Sequence, residues 1–188
     1  MLLGHPGSGK TYFTQQLATT IGAVRINADA TRVSALGSIE KAMEFEKQTG
    51  LLDSIVFKML DYVTLQILQS GNSVICDYQH NNKAHRSNRA AFAKQHDAIP
   101  VIVWVQAPRD IAIQRGTERD ECLDQRKHSK EMMEELISRW STLFEHPDTD
   151  ENLITIDGTV PFVEQHRSFF EQLQNFSPYK NTSATAGS

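Results

Sequence analysis

The stretch Gly4-His5-Pro6-Gly7-Ser8-Gly9-Lys10-Thr11 fits the pattern G-x-x-x-x-G-K-[ST] at every fixed position, with a further glycine at Gly7. The spacing has a physical cause. Polyphosphate oxygens must come within hydrogen-bonding reach of successive backbone N–H groups, and a Cβ obstructs some of those approaches. A helix expected to start near Gly9 brings its positive N-terminal end to the same point. Lys10 then supplies a mobile cation for the β- and γ-phosphates, and the Thr11 hydroxyl a ligand for Mg²⁺. A glycine-rich turn can also arise by chance, but the context opposes that. Met1-Leu2-Leu3 is an apolar strand remnant, and Tyr12 to Thr20 reads as a helix with Phe13, Leu17 and Ala18 inward. ATP is therefore expected against His5, Pro6, Gly7, Ser8, Gly9, Lys10 and Thr11. The strand ahead of the loop is short beside the usual five or so residues, which points to a late start or a trimmed end.

Strands and helices alternate along the rest of the chain. Ala23 to Ile26 is a strand candidate leading into Asn27-Ala28-Asp29, and a weak helical stretch runs from Thr31 to about Gln48. Leu52, Ile55, Val56, Met59, Leu60, Val63, Ile67 and Leu68 recur at helical spacing. Ser73 to Cys76 is a buried-type strand closed by Asp77, Lys83 to Gln95 a helix, and Pro100 to Val105 another buried strand. Helices are expected over Arg109–Arg115, Glu131–Phe144 and Pro161–Leu173, with a last strand at Asn152–Ile156. Continuous apolar strands between helices indicate a parallel sheet covered on both faces. Ligands bind at the carboxyl ends of such strands. The loop at 4–11, Asp29, Asp77, the segment after Val105 and the Asp157-Gly158 turn all fall there, so they are expected to converge on one cleft.

The chain has 188 residues, one domain's worth, with 39% apolar residues and a net charge of -4 from 19 basic and 23 acidic side chains. That balance argues against a sequence-blind nucleic-acid coat, which needs a broad basic surface. Two cysteines, Cys76 and Cys122, are too few for a disulfide framework, and no run reaches the roughly 20 apolar residues of a membrane span. A cytoplasmic location without membrane attachment is expected. Residues 1–176 read as one domain, and the small polar residues of 177–188 as a disordered tail. The seven histidines show no metal-binding spacing.

Several strand-end residues suit phosphoryl transfer. Asp29 could take a proton from an acceptor hydroxyl, and Arg32, three residues on, could hold the acceptor's phosphate or the carboxylate itself. Taken alone, Asp29 reads first as a cap of the helix that follows, over Ala30–Arg32. Asp77 ends the buried-type run Ser73-Val74-Ile75-Cys76 as a metal-serving acid does, though any buried strand can end in Asp. Arg115 and Arg119, four apart on a helix, could close over a triphosphate within a charged lid at about 115–130, or form a solvated pair with Glu118 and Asp120. Lys83, Arg86 and Arg89 recur every three residues beside Asp77. They read either as a basic face for a phosphate-bearing acceptor or as an exposed helix start.

This constellation, Gly4–Thr11, then Ile26-Asn27-Ala28-Asp29 with Arg32, then Val74-Ile75-Cys76-Asp77, then Arg115 and Arg119, resembles the 5′-hydroxyl polynucleotide kinase domain of phage-type end-healing enzymes. The likeness extends to the wider P-loop kinase group with zeta toxins and chloramphenicol phosphotransferase, and it covers about residues 1–130. It implies an α/β, three-layer P-loop NTPase fold of the nucleoside-monophosphate-kinase type, with a five-stranded parallel sheet and a helical lid. It also implies ATP and Mg²⁺ as cofactors, with Thr11 and Asp77 serving the metal. In the family the aspartate matching Asp29 is the general base, the arginine matching Arg32 engages the acceptor, and a lid arginine, here Arg119 with Arg115 as a second candidate, engages ATP. Tyr78-Gln79 stand where the family often has Thr-Asn, and Asn81-Asn82 follow shortly after. The expected activity is transfer of the γ-phosphate to a hydroxyl: of a nucleic-acid 5′ end, or alternatively of a nucleoside, sugar, antibiotic or nucleotide sugar. Asp29, Arg32, Asp77 and Arg86 are the expected acceptor-side residues. A hydrolysing switch or motor fits less well, because no Glu follows Asp77 and no Asn-Lys-x-Asp motif is present. A nucleotide-binding module without catalysis is the third possibility.

Overall fold

A computed structural model describes residues 1–120 and 126–176. The elements follow as β1 (Leu2–Leu3), α1 (Lys10–Ile21), β2 (Val24–Asn27), α2 (Ala28–Leu36), α3 (Ile39–Thr49), α4 (Leu52–Gln69), β3 (Val74–Asp77), α5 (Lys83–Gln95), β4 (Ile102–Gln106), α6 (Arg109–Glu118), α7 (Lys130–Leu143), β5 (Leu153–Asp157) and α8 (Phe162–Leu173). The weak helical stretch expected over 31–48 is two helices. Gly37 closes α2, and the Ser38 hydroxyl accepts the Lys41 N–H to cap α3. The tail at 177–188 lies outside the described residues, as does the middle of the expected lid.

All strand pairings are parallel. β4 stands between β1 and β5, with Leu2 opposite Val103 and Val105 opposite Ile156, and β2 pairs with β3 from Val24–Val74 to Asn27–Asp77. The expected single five-stranded sheet is thus a three-stranded and a two-stranded sheet. The break has a simple cause: β1 is two residues long, so its second edge makes only an isolated bridge, Leu2 to Gln79, beyond the end of β3. The His80 N–H donating to the Leu2 carbonyl at 3.3 Å closes the same seam.

Alternation along β3 sorts the core. Ile75 joins Leu2, Phe13, Leu17, Val105, Ile156 and Phe169 in a cluster between the strands and α1 and α8. Cys76, one residue on, joins Ile26, Ala42, Val56 and Leu60 under α2–α4. Helices therefore cover both faces, giving three layers. A third cluster, Ala112, Met133 and Ile137, locks α6 to α7. Among the described residues no helix is long and apolar enough to cross a membrane.

Candidate active site

The glycine-rich loop turns from β1 into α1, and its glycines stand where side chains do not fit. Gly7 has φ +80°, and a Cβ there would lie 2.2 Å from the Ala112 carbonyl oxygen of α6. Gly9 caps α1 without a side chain, so the first amides of the helix are left for a ligand rather than for a capping oxygen. Lys10 Nζ donates to the carbonyls of Gly4 at 2.7 Å and His5 at 2.9 Å, which holds the ammonium across the loop. Burial of that ammonium lowers its pKa to about 8; the Asp77 carboxylate pulls upward and Arg119 adds to the fall. His5 braces the loop from outside, with Nε2 2.8 Å from the Ala107 carbonyl oxygen and its ring edge-on to Trp140. Ser8 is fully buried, and its hydroxyl has no hydrogen-bond partner among the described residues.

Arg115 reaches this loop, and the charge of Arg119 acts on Lys10 within it. Arg115 Nη1 donates to the Gly158 carbonyl at 2.9 Å and sits over Gly9, 3.5 Å from where a Cβ would be. Gly158 itself passes so close to the loop that a Cβ would lie 2.0 Å from the Ser8 carbonyl oxygen. The Asp157-Gly158 turn thus closes one wall of the cleft, as its strand-end position predicts. Arg119 follows α6, is close enough to Lys10 to repel it, and donates from Nε to the Arg126 carbonyl. Arg126 in turn reaches across to the far side of the cleft. Its Nη2 lies 4.0 Å from Asp29 Oδ1, and Nη1 contacts the Met43 sulfur at 3.7 Å. Contacts therefore run from Arg119 through Arg126 to Asp29.

Asp29 is in the first turn of α2 but does not cap it. Asn27 does, its side chain accepting the Ala30 N–H at 2.9 Å while its amide donates to the Asp77 carbonyl. The Asp29 carboxylate is consequently available to the cleft, held by Arg32 Nη1 at 2.8 Å. Asp77 is almost wholly buried at the end of β3. Its Oδ2 accepts from Thr14 Oγ1 at 3.1 Å, from Arg25 Nε at 2.8 Å and from Arg25 Nη2. Among the described residues no group of three or more His, Cys, Asp or Glu side chains can hold a metal ion. Mg²⁺ beside a nucleotide needs few protein groups, since phosphate oxygens supply other ligands. Of the groups expected to serve it, Thr11 and Asp77 are neighbours bridged by the Thr14 hydroxyl, and both offer oxygen donors, although Asp77 Oδ2 is already held by Arg25.

Arg86 does not face the cleft. It is 0% exposed, and its guanidinium donates to the carbonyls of His80, Asn81, Glu145 and His146 and to both oxygens of Glu151. Lys83 pairs with Asp148, and Arg89 with Asp61. Of the basic face expected on α5, Arg86 is spent inside the protein, while Lys83 and Arg89 are paired at the surface with Asp148 and Asp61; together they tie α5 to the segment before β5 and to α4. Asn82 caps α5, and Asn81 receives Trp140 Nε1 at 2.8 Å, so these asparagines are structural too. Tyr78 lies between Phe57 and His80, and burial holds the His80 imidazole well below its ordinary pKa. The residues missed in the sequence are Arg25, Asn27, Asp53 and Arg126. Only Asn27 had a local signal, a good capping residue directly before a helix.

A family described as the AAA domain matches residues 1–147, and the chain belongs to that family. No curated protein matches the sequence. Solved structures share the fold. A gluconokinase from Sinorhizobium meliloti 1021 is 17% identical with a TM-score of 0.61, covering 93% of this chain and 90% of its own. A sugar kinase from Janibacter sp. HTCC2649 is 18% identical with a TM-score of 0.63, covering 94% of each. A shikimate kinase from Aquifex aeolicus vf5 is 16% identical with a TM-score of 0.56, covering 93% and 95%. At these identities the likeness is one of fold: an α/β P-loop fold with a parallel sheet.

Proposed function

We propose that this AAA-domain chain is an ATP-dependent phosphotransferase that moves the γ-phosphoryl group to a hydroxyl of a small molecule. The loop amides and Lys10 orient the triphosphate, and Arg115 and Arg119 neutralise charge on it. Asp29 takes the proton of the acceptor hydroxyl as its oxygen bonds to the γ-phosphorus; the bond to the β,γ-bridging oxygen breaks, and ADP leaves. Mg²⁺ at Thr11 and Asp77 would supply further charge neutralisation. The carrying observation is the Asp29 carboxylate, free of capping duty and joined through Arg126 to Arg119, whose charge acts on Lys10 of the phosphate loop.

The fold of sugar and shikimate kinases supports a small acceptor over a nucleic-acid 5′ end. So does the burial of Arg86 and the pairing of Lys83 and Arg89 with carboxylates, which leaves α5 a weaker basic face than a polynucleotide would need. The test is Asp29→Asn assayed with γ-labelled ATP against pooled acceptors. Transfer should fall at least a hundredfold, given the usual contribution of a general base, with ATP affinity within twofold of the parent. Unchanged turnover removes Asp29 from the chemistry, and label appearing only in nucleic-acid 5′ ends restores the polynucleotide kinase assignment.

A further inference from the structure

The acceptor side of the cleft is built around one arginine held between two carboxylates. Arg32 Nη1 donates to Asp29 Oδ1 at 2.8 Å, while Nε and Nη2 donate to Asp53 Oδ1 at 3.0 and 2.7 Å. The guanidinium also lies 5.8 Å from the centre of the Phe57 ring. Its side chain is 17% exposed, whereas those of Asp29 and Asp53 are 47% and 54% exposed. All three guanidinium nitrogens and one face are therefore spent on the protein. An anionic acceptor would have to displace Asp53 and then sit beside the displaced carboxylate.

The local charge count points the same way. Glu46 adds a third carboxylate, its Oε2 accepting the Asp53 N–H at 3.2 Å. Against these three stand two guanidiniums, Arg32 and Arg126. A second anion placed here, next to a bound triphosphate, meets net negative charge in a partly desolvated cleft. A neutral ligand meets no such opposition. It also finds acceptors waiting, because Asp29 and Asp53 both spend Oδ1 on Arg32, and neither Oδ2 receives a hydrogen bond among the described residues. Hydroxyl groups are donors of the right kind for carboxylate oxygens.

We infer that the acceptor is an uncharged polyhydroxylated compound, a sugar or polyol, one hydroxyl of which meets Asp29 Oδ2 and a neighbouring hydroxyl Asp53 Oδ2. This rests on the phosphotransferase assignment above and adds to it the charge class of the substrate and a binding role for Asp53. Asp53 is on α4, outside every motif of the sequence. It does two things: it binds the second hydroxyl, and it occupies Arg32 so that anions are refused.

The experiment uses the full chain with γ-labelled ATP and two matched pools: uncharged sugars and polyols, and the corresponding sugar acids and sugar phosphates. Lys10→Ala serves as the blank. Label should enter the uncharged pool at least tenfold faster than the anionic one. With the acceptor found, Asp53→Ala should raise its KM at least tenfold, leave the KM for ATP within twofold, and increase labelling of the anionic pool. Asp53→Asn, which preserves side-chain volume, should raise the acceptor KM less than Asp53→Ala; the ATP KM reports that both variants are folded. Faster labelling of the anionic pool, or an acceptor KM unmoved by Asp53→Ala, overturns the inference and leaves the phosphotransferase standing. Label released only as inorganic phosphate with every pool overturns both.

Discussion

ATP binding should take up a proton at Lys10. The Lys10 ammonium is buried across the carbonyls of Gly4 and His5, and its pKa stands at about 8 against 10.5 for a free lysine. A triphosphate seated on the loop places negative charge against Nζ and returns the pKa toward its ordinary value. The sign follows from linkage: the bound state holds the proton more tightly, so binding weakens as pH rises through the pKa of the unliganded protein. With that pKa at about 8, the protonated fraction falls from about three-quarters at pH 7.5 to about one-eleventh at pH 9, an affinity loss of about eightfold. Phosphate groups with a second pKa of about 6 are already ionised over this window, and His80 stays neutral throughout because burial holds it well below its ordinary range. Titration calorimetry of ATP without metal, in buffers of different ionisation enthalpy, measures both the affinity and the protons taken up. At pH 8.5 uptake should exceed half a proton per site, about the deprotonated fraction for this pKa; in Lys10→Met it should vanish and the affinity become flat. A flat affinity and no proton uptake in the parent protein would refute a depressed Lys10.

Arg86→Met should cost about 3–5 kcal/mol of stability, because it leaves Glu151 and four carbonyl oxygens without their donor. Urea unfolding measures it, and a loss under 1 kcal/mol would deny Arg86 its structural place. Gly158→Ala sets a methyl group 2.0 Å from the Ser8 carbonyl oxygen and 2.9 Å from that of Gln106, both backbone atoms that cannot step aside singly. Stability should fall by about 1–3 kcal/mol, and ATP affinity at least fivefold in protein that remains folded; unchanged ATP binding would separate the β5–α8 turn from the nucleotide site.

The phosphate loop was legible because its chemistry is local: eight consecutive residues carry the backbone path, the helix start and the cation. The alternation of buried strands with helices was legible for the same reason, through period and punctuation. What escaped depends on contacts between elements. The Gly37-Ser38 break, hidden in a run rich in Glu and Lys, divides α2 from α3, and those two helices with α4 form the wall on which Asp53 meets Arg32. Capping by Asn27 rather than Asp29 turns on two residues of register at the end of β2, where Asn27 also reaches Asp77 across the strand pair. The α5 arginines show the limit most sharply. A lysine and two arginines at a spacing of three look like a solvated or ligand-facing stripe, since arginine is almost never fully buried without a partner. Their partners, Asp148, Glu151 and Asp61, lie on two other elements with no sequence relation to them. Charge along a helix therefore states what that helix requires, and only the packing decides whether a ligand or the protein's own carboxylates supply it. At Arg32 the same rule underlies the substrate class inferred above: the carboxylate that satisfies it is Asp53, so an anionic acceptor would first have to displace it.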